Sequence, residues 1–215
     1  MSRRLLPSGD AALLVECDSL DEVLALHDAL EAALRQAQGP EGIVELVPAA
    51  RTILVAIDPA VIPLESAATW VRRIPAEAGS RTAGANAAPV TIPVAYDGDD
   101  LAATAALLAI STEALVARHV EAEWRVAFVG FAPGFGYLVS DDWPFEVPRL
   151  GAPRTRVPPG AVALAGAFGG VYPRPSPGGW RLIGRTSADL WNPEADPPAL
   201  LAPGRRVRFE AVDAG

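Results

Sequence analysis

The sequence predicts a small α+β domain followed by a mainly-β barrel domain. Residues 1–75 contain apolar runs in the order β-α-β-β-α, which is typical of an antiparallel sheet with helices on one face. Residues 76–88 are alanine, glycine and polar residues without periodicity, as in a linker. Residues 89–215 contain short strand-like runs separated by glycine and proline, a pattern that favours a barrel.

The first domain is predicted to contain two helices and three strands. Ser19 begins the first helix, because Glu22 lies three residues further on in a capping-box pattern. Pro63 opens the second helix, since proline is favoured in a first turn, and Pro75 ends it near residue 74. The strands are short apolar runs: Leu13–Cys17, Ile43–Val47 and Thr52–Ile57.

The second domain is predicted to contain two short helices and six strands. The helices are Asp99–Leu108 and Thr112–Val120, and Ser111 caps the second. The aspartates within residues 97–100 are expected to cap the first helix, because the glutamate of a calcium-binding loop is missing. The strands are Thr91–Tyr96, Arg125–Gly130, Ala161–Ala165, Gly170–Tyr172, Trp180–Gly184 and Arg205–Ala211.

The basic residues of the chain are unusual, because all 18 are arginine and lysine is absent. This composition excludes Schiff-base, P-loop and kinase-type ATP lysines from the chain, and with them a biotin attachment site. A net charge of −8 argues against nucleic-acid binding. No apolar run reaches the roughly 20 residues of a membrane span, and no signal-peptide region is evident. The sequence therefore predicts a cytoplasmic protein that contacts neither nucleic acid nor membrane.

Metal and thiol chemistry are not expected. The two histidines, His27 and His119, are too few for a structural zinc site, and no metal site is predicted. The single cysteine, Cys17, lies in an apolar run without a basic neighbour. It is predicted to be a buried structural thiol rather than a nucleophile.

The arginines are concentrated in one part of the chain. Residues 1–148 carry 9 arginines and 21 acids, whereas residues 149–208 carry 9 arginines and only 3 acids. Two explanations stay open. The C-terminal arginines pair with acids of the first part, or they form an anion site, because guanidinium groups bind carboxylate and phosphate bidentately.

Three motifs rich in glycine and proline are candidate ligand-binding segments. Residues 130–138 combine glycines with aromatic side chains, and residues 148–160 place arginines on loops that prolines stiffen. The third motif comprises residues 165–173 and 176–186. It contains glycine pairs, which expose backbone N–H groups to anions, and a Pro-Gly-Gly turn that leads into a strand. The alternative is that the motifs build only a barrel corner, a solvated loop and a hairpin. The candidate binding residues are Pro133, Gly134, Phe135, Tyr137, Arg149, Arg154, Arg156, Pro177, Gly178, Gly179, Trp180 and Arg185.

His119 is the one candidate for proton transfer. It ends the second helix of the barrel domain. At that position it is expected either to be stabilised as a cation by the helix dipole or to act as a general acid or base.

These motifs, in this order, resemble the family of the bacterial 5-oxoprolinase B subunit, also called allophanate hydrolase subunit 1. The family includes the sporulation kinase inhibitor of bacilli and one half of the carboxyltransferase domain of urea carboxylase. The resemblance covers essentially all of residues 90–210. The matching stretches are Pro93–Tyr96 with Asp97 and Gly98, Leu115–His119, Gly130–Leu138, Pro148–Gly160, Pro177–Thr186 and Pro198–Phe209.

The resemblance implies a cyclophilin-like barrel and a subunit of an enzyme that opens 5-oxoproline to glutamate with ATP. The implied partners are a larger C-subunit homologue and an A subunit. ATP, with Mg²⁺, would be shared with a partner subunit or held by it. No cofactor would be attached to this chain, and the isolated chain would be inactive. Within this mechanism Arg154 and Arg156 are expected to hold anions, with Arg185 as a second-tier candidate. Phe135, Tyr137 and Trp180 would form the pocket wall, and Gly134, Gly178 and Gly179 would offer backbone contacts.

The chain departs from the family pattern in two places. Ala132 stands where the family usually has threonine, and Gly136 where it has proline. Residues 167–170 read Ala-Phe-Gly-Gly, where a polar Gly-Gln-Thr-Gly run is common. Two other functions are compatible with the resemblance: a non-enzymatic histidine-kinase inhibitor, and one half of a biotin-dependent carboxyltransferase acting on urea.

Overall fold

The computed structural model describes residues 3–75 and 88–213. The chain divides into two compact units, Met1–Ala83 and Gly84–Gly215, called unit 1 and unit 2 below. The predicted linker, residues 76–88, lies outside the described residues except for Ala88. The domain limits read from the sequence therefore stay a prediction.

Unit 1 is a four-stranded antiparallel sheet with two helices. The strands lie in the order β1-β2-β4-β3. This arrangement contains the predicted β-α-β-β-α order, with a short additional strand before it. The elements are β1 (Leu5–Pro7), β2 (Ala12–Glu16), α1 (Leu20–Arg35), β3 (Ile43–Pro48), β4 (Thr52–Ile57) and α2 (Leu64–Arg73).

The core of unit 1 lies between the helices and one face of the sheet. Alternate residues of β2 and β4 are buried, because successive side chains of a strand point to opposite faces. Val15 and Val55 from the strands pack in one cluster with Leu26 of α1 and Val71 of α2. Cys17 belongs to the same cluster, and its burial raises the pKa of the thiol to about 11. The predicted buried structural thiol is confirmed.

Unit 2 contains nine strands and two helices within its described residues. The elements are β5 (Val90–Val94), α3 (Leu101–Leu107), α4 (Thr112–Glu121), β6 (Trp124–Val129), β7 (Gly136–Val139), β8 (Arg154–Val157), β9 (Ala161–Ala165), β10 (Phe168–Val171), β11 (Ser176–Gly178), β12 (Arg181–Arg185) and β13 (Arg206–Ala211).

Seven of these strands form a mixed sheet that curls into a near-closed barrel. Their order is β12-β9-β10-β7-β6-β13-β5, and β13 and β5 pair in parallel. The two ends of the sheet meet where Ala95 and Arg185 exchange two backbone hydrogen bonds of 2.9 Å. Glycine is needed at this junction, because a Cβ on Gly184 would lie 2.6 Å from the Ala95 carbonyl oxygen.

Apolar side chains from all seven strands fill the barrel interior. Val162 and Leu164 of β9 belong to this interior cluster, which also receives Leu101 of α3 and Leu115 of α4. The alternate β9 residues, such as Ala163, belong to a second cluster on the outer face. The short sheet of β8 and β11 adds Val157 to that outer cluster.

Local helix signals are confirmed at two positions. The Ser19 hydroxyl accepts a hydrogen bond from the Glu22 backbone N–H at 3.2 Å, and the Ser111 hydroxyl accepts one from Ala114 at 3.1 Å. The Glu22 carboxylate accepts a hydrogen bond from the Asp18 N–H at 2.8 Å. Both predicted caps therefore rest on contacts within five residues of chain.

Four strands were not predicted: β1, β7, β8 and β11. Each is short and lacks apolar alternation, and β11 contains Pro177. Proline is tolerated there because β11 lies at the edge of a two-stranded sheet. The prediction that residues 148–160 form only loops is wrong for Arg154–Val157, which pair with β11.

Candidate functional site

An aromatic cluster covers the outer face of the barrel. The ring centroids of Phe135, Tyr137 and Trp180 lie 5.1–5.6 Å from one another. Tyr172 extends the group, with its ring centroid 5.3 Å from that of Phe135. Phe135, Trp180 and Tyr172 are buried, whereas Tyr137 is half-buried. These four residues are called the aromatic cluster below, and they bring together the three aromatic residues predicted for the pocket wall.

Glycines make room for the aromatic cluster. A Cβ on Gly170 would lie 2.9 Å from the Phe135 ring. A Cβ on Gly178 would overlap the Tyr172 hydroxyl, whereas a Cβ on Gly179 would meet only Pro153 and Leu150 at 3.7 Å or more. Of the three glycines predicted to offer backbone contacts, Gly178 therefore has a packing role.

Arg149 lies beside the two tyrosines of the aromatic cluster. Its charge lowers the pKa of Tyr137 and of Tyr172, but burial is the larger influence and raises both above the ordinary value. The Arg149 side chain is exposed, and it forms no ion pair with any described residue. A free guanidinium next to two protonated phenols is a set of donors that suits an anion.

Arg154 has a structural partner. Its Nη2 donates a hydrogen bond to Asp100 Oδ1 at 2.8 Å, and Asp100 Oδ2 accepts one from the Leu182 backbone N–H at 2.7 Å. Burial alone would raise the pKa of Asp100, but these hydrogen bonds and the Arg154 charge outweigh it and lower the pKa. The other terminal nitrogen, Arg154 Nη1, is buried without a partner among the described residues. Arg154 thus joins β8 to β12 and keeps one donor unused.

The predicted cap of α3 is wrong. Asp100 occupies the N-cap position, but its side chain makes no capping hydrogen bond. Its carboxylate turns instead to Arg154 and Leu182, because a buried carboxylate needs a charged partner. No pattern near Asp100 in the sequence indicates this partner, which lies 54 residues away.

The pairing explanation is confirmed for some of the C-terminal arginines, and the anion site stays a prediction. Arg185 Nε donates to Asp97 Oδ2 at 2.8 Å, and Arg208 Nη2 donates to Glu123 Oε1 at 3.0 Å. Arg185 therefore lies at the barrel junction and pairs with an acid of the first part. Arg156 on β8 is exposed, and no ion pair joins it to the residues that the structure describes.

The remaining predicted residues are two in a turn and one in a short strand. Pro133 and Gly134 belong to the turn between β6 and β7, and Gly134 has a φ of +82°. A Cβ there would lie 2.8 Å from Cβ of Trp191. Pro177 is an exposed residue in the middle of β11.

His119 lies inside the barrel core. Its side chain is fully buried, and Nδ1 is 2.7 Å from the Tyr96 hydroxyl oxygen. The rings of Trp124, Trp143 and Phe209 surround it, with centroids 4.4–6.0 Å away. Burial lowers its pKa to about 3, so the imidazole is neutral at pH 7 and is not a cation at the helix end. The geometry is that of a core histidine.

Sequence reasoning missed Phe131, Tyr172 and Asp100. Phe131 stands in the first motif and is 55% exposed, with a φ of +67° that bulky residues rarely adopt. Tyr172 ends the Gly-Gly-Val-Tyr run, which is predicted to be a strand within a candidate anion-binding motif, but its ring is not among the predicted binding residues. The alternation of glycines with aromatics was the available signal for both aromatic residues.

Unit 1 has an open cleft of about 580 Å³ between the end of α1 and α2. Gly39, Glu65, Trp70 and Arg73 are among its lining residues. None of the residues predicted to bind ligand lines this cleft.

Within residues 3–75 and 88–213, no three His, Cys, Asp or Glu side chains lie close enough together to hold a metal ion. None of the helices in those ranges is long and apolar enough to cross a membrane by itself. The α3–α4 pair meets that criterion only when both helices are counted together, with a bend of 92° between them.

Comparison with known proteins identifies relatives of both units. The family model of the carboxyltransferase domain, subdomain C and D, matches residues 3–201. The 5-oxoprolinase B subunit of Escherichia coli O157:H7 is 46% identical over 123 residues, which are 56% of this chain and 56% of that protein. The chain thus matches about half the length of this curated relative.

Solved structures share the fold. TTHA0988 is 35% identical with a TM-score of 0.74, and the match covers 95% of this chain but 40% of that one. The urea amidolyase of Kluyveromyces lactis reaches a TM-score of 0.78 at 20% identity, over 98% of this chain and 15% of that one. The second likeness shows the fold alone.

Proposed function

The chain belongs to the family of the carboxyltransferase domain, subdomain C and D, and we propose that it is the B-type subunit of an ATP-dependent 5-oxoprolinase. The similarity to a 5-oxoprolinase B subunit supports this function. The structural observation that carries it is the exposed Arg149 at the edge of the aromatic cluster. Its chain neighbours bond to the residues on either side of Trp180: the Leu150 N–H donates to the Gly179 carbonyl at 2.8 Å, and Arg181 Nε donates to the Pro148 carbonyl at 2.7 Å. Substrate and product of this reaction, 5-oxoproline and glutamate, both carry a carboxylate, which a guanidinium binds well.

The aromatic cluster gives the substrate a place beside the arginine. Arg149 pairs with the substrate carboxylate, while the apolar edge of the lactam ring packs on Tyr137. Because burial raises the pKa of both phenols, Tyr137 and Tyr172 stay protonated at pH 7. They can therefore donate hydrogen bonds to an anion without repelling it.

A lactam resists water at neutral pH, so its carbonyl must be activated. Transfer of the γ-phosphoryl group of ATP to the lactam oxygen releases ADP and activates the carbonyl carbon. Water then adds to that carbon, the C–N bond opens and phosphate leaves. Negative charge grows on oxygen during these steps, and cationic donors held in place lower its energy. Arg156 and the unused Nη1 of Arg154 are the groups of this chain that we assign to that charge.

The chain supplies only part of the site. Exposed guanidinium groups are screened by water and salt, and Arg149 and Arg156 are both exposed. Since the described residues hold no cluster of metal ligands, we assign Mg²⁺ to the nucleotide and a partner subunit. We propose a C-type subunit as this partner, joined by an A-type subunit, in a cytoplasmic complex whose isolated B chain is inactive.

The test is reconstitution with the C-type and A-type homologues of the same organism. Glutamate release from 5-oxoproline is measured with and without ATP, for the complete complex and for the isolated chain. We expect ATP-dependent release from the complex alone. Arg149→Ala should raise the KM for 5-oxoproline roughly tenfold or more, as expected for the loss of a charged hydrogen bond.

Arg118→Ala is the matched control, because Arg118 is an exposed arginine of α4 outside the site. An intact complex that releases no glutamate with ATP would refute the proposed function. Biotin-dependent carboxylation of urea by the same complex would identify a carboxyltransferase instead. Inhibition of histidine-kinase autophosphorylation by the isolated chain would identify an inhibitor.

A further inference from the structure

Unit 1 holds a cleft that the proposed function does not use. Its volume of about 580 Å³ lies within the range of small-molecule sites, about 300–1,000 Å³. One wall is the chain that follows α1, residues 37–40. The other wall is α2, which contributes Glu65, Ser66, Thr69, Trp70 and Arg73. No residue that we assign to the 5-oxoprolinase reaction lies in either wall.

The wall that follows α1 is held in place by backbone hydrogen bonds. The Gln38 N–H donates to the Ala33 carbonyl at 2.9 Å, and the Ala37 N–H donates to the Leu34 carbonyl at 3.1 Å. These two bonds form a Schellman motif, in which the residue after the helix adopts a left-handed conformation, and Ala37 has a φ of +55°. The cleft is therefore formed before any ligand binds, which lowers the entropy lost on binding.

Trp70 is the aromatic residue of the cleft. It is half-buried, and the facing wall approaches it closely, because a Cβ on Gly39 would lie 3.3 Å from Trp70 Cζ2. The indole Nε1 is buried and has no hydrogen-bond partner among the described residues. A buried donor without an acceptor is unfavourable. A ligand with a carbonyl group would supply the acceptor that this donor lacks.

Charges of opposite sign lie at the two ends of the α2 wall. Glu65 is in the first turn of α2, and Arg73 is its last residue. Both side chains are exposed, and neither forms a hydrogen bond or an ion pair with another residue that the structure describes. A rise of about 1.5 Å per residue separates their Cα atoms by about 12 Å along the helix. Trp70 lies between them in the same helix.

This distribution of charge favours a ligand that carries one charge at each end. Glu65 would repel a simple anion, and Arg73 would repel a simple cation. The two charged groups of a free amino acid are attached to one carbon atom, so they suit one end of the cleft but not both. An extended peptide advances at most about 3.3–3.6 Å per residue, so three residues cover about 10 Å. The flexible side chains of Glu65 and Arg73 can close the remaining gap.

We propose that the cleft of unit 1 binds a short peptide with free ends, about three residues long. The ammonium group of the peptide pairs with Glu65, its carboxylate pairs with Arg73, and a central apolar side chain packs on Trp70. A peptide carbonyl accepts the hydrogen bond of the indole Nε1. This binding activity is additional to the proposed function and does not depend on it.

The experiment measures binding of the tripeptide Ala-Leu-Ala to the full chain by calorimetry. The same peptide with an acetylated N-terminus or an amidated C-terminus lacks one of the two end charges. We expect each blocked peptide to bind the wild type roughly threefold or more weakly than the free peptide. Glu65→Gln should weaken binding of the free peptide by a similar factor but leave binding of the acetylated peptide unchanged. Arg73→Gln should do the same for the free and the amidated peptide.

Arg72→Gln is the matched control, because Arg72 is the neighbouring exposed arginine of α2 and does not line the cleft. It should bind the free peptide like the wild type. Absence of binding to the wild type at millimolar peptide would overturn the proposal, as would blocked peptides that bind as tightly as the free one. Leucine that binds as tightly as the tripeptide would also overturn it and would assign the cleft to single amino acids. The glutamate-release assay tests the proposed function separately, since it involves none of these residues.

Discussion

The buried imidazole of His119 predicts a defined loss of stability in mild acid. Its folded pKa of about 3 lies below its ordinary value of 6.5. The unfolded chain therefore binds a proton that the folded chain excludes, and stability falls as the pH drops below 6.5. Between pH 6.5 and pH 5 the imidazole contributes a loss of about 2 kcal/mol, from about 1.4 kcal/mol per pH unit.

The assay compares wild type with His119→Phe by urea unfolding at pH 7 and pH 5, followed by tryptophan fluorescence. Phenylalanine fits an aromatic environment but does not titrate. It leaves the Tyr96 hydroxyl without its partner at both pH values, so this cost cancels in the comparison. We expect the wild type to lose about 2 kcal/mol more than the variant between the two pH values. If wild type and variant lose the same free energy of unfolding to within about 0.5 kcal/mol, His119 is not a neutral side chain shielded from protons.

Two further predictions concern the packing around the site. Gly178→Ala should lower the free energy of unfolding by roughly 1–3 kcal/mol, because the new Cβ overlaps the Tyr172 hydroxyl. The control Gly179→Ala should change it by less than about 0.5 kcal/mol. Equal melting temperatures of the two variants would contradict this reasoning. Asp100→Asn should cost roughly 1–3 kcal/mol, since the charged hydrogen bond from Arg154 is weakened while Leu182 keeps its acceptor. An unchanged unfolding midpoint in urea would count against that role of the carboxylate.

Local signals in the sequence predict the regular elements well. The Ser19 and Ser111 caps depend on contacts within a few residues, and both are present. The apolar strands of the barrel interior, such as Ala161–Ala165, are also read directly from the sequence, because burial on both faces requires a continuous apolar run. These features need no knowledge of distant partners.

Features that depend on distant partners were not predictable. Strand β8 consists of arginine, threonine and valine, and only its pairing with β11 makes it a strand. Asp100 looks like a helix cap until Arg154 is brought to it in space. Likewise, the position of His119 at a helix end says nothing about the aromatic rings that enclose it.

The candidate site was predictable in part for the same reason. Phe135 and Tyr137 stand two residues apart, so the motif itself suggests that they act together. Trp180 joins them from another motif, as expected. The free Arg149 and the paired Arg154 look alike in the sequence, however. Only the position of Asp100 distinguishes them.

The parallel pairing of β5 with β13 has a consequence for synthesis on the ribosome. Val90 is aligned with Val207, so the first barrel strand waits for a partner made 117 residues later (207 − 90). Until then β5 has a strand edge without its neighbour, and such edges promote aggregation of nascent chains. Closing so long a loop also slows folding. The barrel can therefore close only after β13 has been synthesised, and until then chaperone binding would protect the nascent chain from aggregation.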